Sequence, residues 1–242
     1  MNYLVFQLQA PFSAWGETAV GEFRPTANYP SESALLGLLA AALGMRREEE
    51  DAHAALHRGY SFAIGVLASG CLLRDYHTAQ VPGRVSLKNL PHNSRRDELN
   101  LPKIDLNTIL STRDYRQGAA NMIAVQAHDG APYALDDLAQ VLAKPRFTLY
   151  LGRKACPPAL PLNPQIIAAE NSHTALYNYR QELVKRSGET IPEFERIVWG
   201  EGIESGTIHD LEVVRKDRVL SREHWQFGDR IEYVALKPQG GQ

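Results

Sequence analysis

The sequence predicts an α+β fold in which short helices pack on a mainly antiparallel sheet. Three observations carry this expectation. Leu4, Phe6 and Leu8 alternate with Val5, Gln7 and Gln9, the period of a strand with one face turned inward. Residues 34–43 are apolar nearly all round, as a helix packed deep in a domain would be. Strand-like stretches at 60–67 and 71–77 follow, and beyond a long irregular stretch come a further strand and an amphipathic helix. The order strand, helix, strand, strand, insertion, strand, helix comes closest to the ferredoxin-like βαββαβ plan.

Each element has local signals at its ends. Pro11 stops the first strand, and Gly16, Gly21, Pro25 and Pro30 mark a turn-rich connection. Ser31 and Ser33 are both suitable caps for the buried helix, and Gly44 is a natural stop. A second, amphipathic helix is expected over 48–57, and a turn around Ser69-Gly70 joins the next two strands. Residues 79–108 hold Pro82, Gly83, Pro91 and Pro102 with little periodicity, the mark of a functional excursion or a disordered loop. Regular structure resumes with a strand near 119–126 and a helix at 135–143. After Pro145 come a proline-rich crossing (Pro157, Pro158, Pro161, Pro164), a polar stretch, and strand-like pieces at 207–215 and 230–236. The expected division is residues 1–150 as the main domain and 151–242 as a smaller β-rich part.

Composition narrows the function classes. Of 242 residues, 44% are hydrophobic and 22% charged, which is ordinary for a soluble globular protein. The longest apolar-and-glycine run, 34–43, is far shorter than a membrane span, and no basic stretch leads into a signal core, so a cytoplasmic protein without a membrane partner is expected. Cys71 and Cys156 form no CxxC pair and read as small buried residues; neither a metal nor another cofactor is implied. The net charge of −2 argues mildly against nonspecific nucleic-acid binding, but the charge is segregated. Residues 48–51 are wholly acidic, 144–154 carry Lys144, Arg146, Arg153 and Lys154 with no acid, and 74–116 hold eight Lys/Arg against five Asp/Glu. Such segregation is what a local phosphate site needs.

Single-stranded RNA is held by cations on phosphates and flat side chains on splayed bases. Arg74-Asp75-Tyr76-His77 and Arg113-Asp114-Tyr115-Arg116 each place a ring beside guanidinium groups, one entering the excursion and the other leaving it. On neighbouring strands they would converge at its base. Within 146–154, Phe147 and Tyr150 alternate with basic ends around Gly152, where glycine would let a backbone approach a phosphate. Competing readings stand beside these. Trp15 reads as a packing anchor, Arg24 either clamps a phosphate or pairs with Glu22, and Gly37 serves either close helix packing or an RNA backbone. Arg95-Arg96 is neutralised by Asp97-Glu98. A ribonuclease could draw a general base and acid from Tyr76, His77, Lys88 and His92, yet a pure binder would contain the same groups. No clustered carboxylates or histidines suggest a metal nuclease, and an unrelated ligand-binding protein is the third class.

Five blocks together resemble the CasD family of type I-E CRISPR Cascade subunits, within the RAMP group. They are LQAPFSAWG at 8–16 followed by Phe23-Arg24-Pro25-Thr26, SALLGLLAAALG at 33–44, RDYHT at 74–78, TILSTRDY at 108–115, and KPRFTLYLGRKACP at 144–157. The resemblance covers the first two-thirds of the chain and thins after about residue 165. It implies a ferredoxin-like domain with a protruding thumb at about 79–112 and a noncatalytic role in gripping the 5′ handle of a crRNA. It also implies contacts with the backbone subunit CasC and the large subunit CasA, and a link to target DNA only through the assembled complex. The thumb would lean across the guide and displace a nucleotide. The residues assigned on this combined reading are Arg24, Arg74, Arg113, Arg146, Arg153 and Lys154 for phosphates, with Arg84 and Lys88 in the thumb. Tyr76, His77 and Tyr115 would stack or hydrogen-bond.

Overall fold

The first strand, β1 (Asn2–Gln9), is buried on both faces, because the chain returns to cover each of them. The computed structural model describes residues 1–83, 93–221, 224 and 226–238. Short pairings β2 (Phe12–Ser13), β3 (Trp15–Gly16), β4 (Phe23–Arg24) and β5 (Thr26–Ala27) punctuate the connection that follows. Helix α1 (Glu32–Leu43) starts where the sequence says it should: the Ser31 side chain accepts from the Ala34 N–H, and Gly44 ends the helix in the left-handed region at φ 79°. Helix α2 (Glu50–Gly59) runs directly into β6 (Tyr60–Ala68).

Strands β7 (Cys71–Pro82) and β8 (Leu106–Gln117) pair antiparallel without interruption from Cys71↔Gln117 to Pro82↔Leu106. The two ends of the irregular-looking stretch, 79–82 and 106–108, are therefore ladder. A two-stranded ribbon exposed on its faces needs no hydrophobic alternation, which is why periodicity fails to reveal it. At its far end lie the short helix α3 (Arg95–Leu99), closed by a reciprocal Ser94–Asp97 capping box, and a 3₁₀ turn at Lys103–Asp105. Arg84, Lys88 and His92 lie outside the described residues.

Then come β9 (Ala120–Ala127), α4 (Leu135–Ala143), β10 (Gln165–Ala168), α5 (Ser172–Ser187), β11 (Arg196–Gly200), β12 (Leu211–Ser221) and β13 (Gln226–Leu236). One seven-stranded sheet runs in the order β10-β1-β9-β6-β11-β13-β12, and each neighbouring pair is antiparallel. The chain's mixed helix and antiparallel-strand class agrees with the sequence expectation. Helices α1 and α4 cover one face through Leu4, Phe6, Leu8, Leu35, Leu39 and Leu138. Helix α5 covers the other through Ala175, Leu176 and Tyr179, which meet Tyr3 and Val5. The expectation that β1 turns only one face inward is thus corrected: the polar-looking segment 172–187 is a helix that buries the second face. Its long charged residues, Lys185 and Arg186, stand in the last turn, where they favour the helix dipole.

Candidate nucleic-acid interface

A groove of about 500 Å³ runs along the exposed side of α1. Its floor is Ser33, Ala34, Gly37, Leu38 and Ala41, spaced so that one helical stripe faces outward. The opposite walls are the loop through Ala14, Gly16, Glu17 and Arg24 and the loop through Thr148, Tyr150, Gly152 and Arg153. Two buried backbone contacts lock these loops together. The Ala14 N–H donates to the Leu151 carbonyl at 3.0 Å, and Gly152, at φ 88°, lies so close that a Cβ would fall on the Ala14 carbonyl. Gly152 thus permits a close approach, but of protein backbone rather than phosphate.

Arg153 joins the groove to the hairpin base. Its guanidinium donates to the Asp114 carbonyl at 3.0 Å and the Arg24 carbonyl at 3.2 Å, and it lies over the Tyr115 ring at 4.6 Å. Carbonyl oxygens satisfy the guanidinium at the groove rim, and it adds to the positive surroundings of the Asp114 carboxylate. Arg24 donates to the Gly21 and Phe23 carbonyls at 2.6 and 3.0 Å, which closes its own loop. Lys154, the sequence neighbour of Arg153, is exposed.

Directly paired residues in a ladder share a face, so the register sorts the remaining candidates. Asp75↔Arg113 and His77↔Ser111 lie on one face of the ribbon, with Tyr115 opposite Leu73. The parallel pair Arg24↔Arg113 brings Arg24 to that same face. Arg74↔Asp114 and Tyr76↔Thr112 lie on the other face, with Phe23 opposite Thr112. Arg24, His77, Arg113, Tyr115 and Arg153 therefore gather beside the groove, whereas Arg74 and Tyr76 turn away from them. Arg74 grips Asp114 with both arms, at 2.8 and 3.0 Å, and covers the Phe23 ring at 5.0 Å. That fork holds the Asp114 carboxyl below its ordinary value, and the carboxylate raises the arginine in turn. Tyr76 is 64% exposed, and His77 has its Nδ1 3.9 Å from Asp75. Arg146 lies elsewhere: its side chain drapes over Gly44 at the end of α1, where a cation suits the helix dipole, and it lines a separate cleft with Pro158 and Pro161.

Several residues of this region have no clear signal in the sequence. Phe12 packs edge-on to Tyr115 at 6.2 Å, Phe23 sits under Arg74, and Phe227 reaches the groove from β13. Trp15 is a packing residue, buried to 3%, as its setting between small residues suggests. Cys156 is buried, which pushes its thiol up, but Cys71 is exposed at the root of the hairpin, against the expectation that both are interior. No group of three or more His, Cys, Asp or Glu able to hold a metal occurs among the described residues. No helix among them is long and apolar enough to cross a membrane.

The fold is a helix-covered antiparallel sheet bearing a basic, aromatic-edged groove and a long hairpin, and the comparisons place it among the CRISPR-associated proteins. The family model described as "CRISPR-associated protein (Cas_Cas5)" matches residues 3–231, and the chain belongs to that family. "CRISPR system Cascade subunit CasD" of Escherichia coli (strain K12) is 30% identical over 243 residues, covering 96% of this chain and 95% of that one. The resemblance read from the five sequence blocks is borne out. A solved "CRISPR RNA-guided surveillance complex" contains a chain that matches 97% of this one and 90% of its own length, with 25% identity and a TM-score of 0.65. A "Crystal structure of Cas protein" matches at a TM-score of 0.61 and 21% identity over 98% and 95%, a likeness of fold.

Proposed function

We propose that this chain is a noncatalytic RNA-binding subunit of a type I-E Cascade surveillance complex, seating the 5′ handle of the crRNA. The observation that carries the reading is the groove lined by Arg24, Tyr150 and Arg153, in a chain 30% identical to a Cascade subunit along nearly its whole length. Arg113, Tyr115 and His77 extend the same basic and aromatic surface onto the hairpin base, and Lys154 adds an exposed cation. The fold reading is ferredoxin-like, supported by the antiparallel order β10-β1-β9-β6 around the helices α1 and α4. The β7–β8 ribbon serves as the thumb. Residues 1–150 supply most of the groove, and 151–242 complete the sheet behind it. CasC and CasA are the protein partners, target DNA is met through the complex, and the assembly works in the cytoplasm.

The endoribonuclease alternative needs a base and an acid converging on one ribose and its leaving oxygen. Tyr76 and His77 are consecutive in β7 and so point to opposite faces of the ribbon, which favours binding over turnover. Labelled repeat-derived RNA is incubated in EDTA with the protein, alone and with the backbone subunit. Retention without cleavage is expected, weakening with salt by a log–log slope of about −0.7 per phosphate contact. Cutting at one position would establish the nuclease, and absence of retention even with the partner would overturn the RNA-binding reading.

A further inference from the structure

The groove wall formed by residues 148–153 is held firmly from behind, yet one of its side chains has nothing to hold. Leu149 and Leu151 are exposed to only 6% and 1% and anchor the segment in the core. Tyr150, between them, is 39% exposed and lines the groove. The backbone that follows it is pinned from two directions. The Leu151 N–H donates to the Cys156 carbonyl at 2.7 Å and the Cys156 N–H to the Arg153 carbonyl at 2.8 Å, which closes a tight turn around the buried Cys156. The Leu151 carbonyl accepts from the Ala14 N–H, and Gly152 rests against the Ala14 carbonyl. Among the described residues, however, the Tyr150 hydroxyl makes no hydrogen bond, and its ring meets neither another ring nor a cation.

Neighbouring aromatic side chains are already engaged. Tyr115 has the Arg153 guanidinium over its ring at 4.6 Å and Phe12 against it edge-on at 6.2 Å, and Phe227, the other aromatic lining residue, has an interaction partner of its own. The α1 floor contributes Ala34, Gly37 and Ala41, small residues that leave width for a flat group, and Arg24 and Arg153 line the same groove as cations for the phosphates on either side of it. An open ring on a wall that need not reorganise holds an unpaired base at little ordering cost. Resting on the RNA-binding reading above, we infer that Tyr150 is the base-stacking residue of the groove, taking one unpaired nucleotide of single-stranded RNA through its ring rather than its hydroxyl.

The full chain, with its backbone partner, is titrated with repeat-derived RNA carrying a single abasic nucleotide at each position in turn. For the unchanged protein, removing the base at one position is expected to lower affinity roughly tenfold. Tyr150→Ala is expected to bind intact RNA roughly tenfold more weakly, to keep its melting temperature, and to lose sensitivity to that one abasic site. Tyr150→Phe, which keeps the ring and loses only the hydroxyl, is expected to retain both the affinity and the abasic profile. The inference is overturned if Tyr150→Ala leaves the affinity or the abasic profile unchanged, or if no position is sensitive in the unchanged protein. A Tyr150→Phe variant as weak as Tyr150→Ala overturns it too, since the hydroxyl would then carry the contact. Should Tyr150→Ala fail to fold, Tyr150→Leu keeps apolar bulk without a flat ring, and abasic sensitivity that persists in it is equally fatal. Absence of RNA retention by the unchanged protein would instead strike the RNA-binding reading itself.

Discussion

Arg153 and Lys154 are adjacent and equally basic in the sequence, but the fold gives them different work. Arg153 is spent in part on the Asp114 and Arg24 carbonyls and the Tyr115 ring, whereas Lys154 is exposed. Lys154→Ala is expected to weaken RNA retention modestly, with the salt dependence flattened by about 0.7 in log–log slope and the melting temperature unmoved. Arg153→Ala is expected to lower both retention and melting temperature, and equal melting temperatures for the two variants would contradict a structural role for the Arg153 contacts. Gly152 makes a sharper case. A side chain there meets the Ala14 carbonyl in a backbone conformation that L residues rarely adopt, so Gly152→Ala is expected to cost at least about 2 kcal/mol in urea unfolding. The glycine is legible from sequence as a special position, but not what it approaches. Only the folded chain brings residue 14 beside residue 152.

At the scale of elements, the hairpin base is held by the Arg74–Asp114 fork. Because the folded carboxyl titrates below its ordinary value near 3.8, its contribution is complete above about pH 4 and is lost as pH falls through the lowered value. Acidification is therefore expected to loosen the β7–β8 ribbon, read as faster amide exchange at Arg74 and Asp114, and Asp114→Asn is expected to show that exchange already at neutral pH. Helix α5 carries its own pH signature. His173 is buried against Tyr177 at 4.8 Å, its Nε2 has no hydrogen-bond partner among the described residues, and burial lowers its affinity for a proton. The unfolded chain takes that proton first as pH falls through about 6.5, so stability drops below that point. The melting temperature should fall between pH 7 and pH 5 in part through His173, and His173→Phe is expected to remove that part. An unchanged slope would assign it to other groups. The elements α1 and α4 were open to sequence reading because caps, stops and apolar spacing are local. Helix α5 was not, since its buried contacts come from Ala175, Leu176 and two tyrosines in an otherwise polar stretch.

For the whole molecule, the decisive feature is a single sheet that begins with β10 and ends with β12. Strand β11 pairs with β6 on one side and β13 on the other, so the C-terminal strands seal the edge of the N-terminal core. Truncation after residue 205 would remove β12 and β13 and with them Val234, Asp217, Arg230 and Glu232. Loss of a cooperative thermal transition and aggregation on size exclusion are expected. A monomer that still melts cooperatively would mark those strands as an appendage.

Taken alone, the sequence determined the α+β class, the ends of α1 and α4, the segregation of positive charge, and the family, because these rest on short-range patterns and contiguous blocks. The tertiary structure decided which cations share a surface. Side-chain facing in a ribbon follows cross-strand register, which put Arg113 beside Arg24 and turned Arg74 toward Asp114. It also decided that residues from the final strands reach the groove, through polar contacts between groups some two hundred positions apart, such as the hydrogen bond from Tyr29 to Glu232. Those pairings depend on closing the sheet, and no local pattern encodes which distant charges meet when it closes.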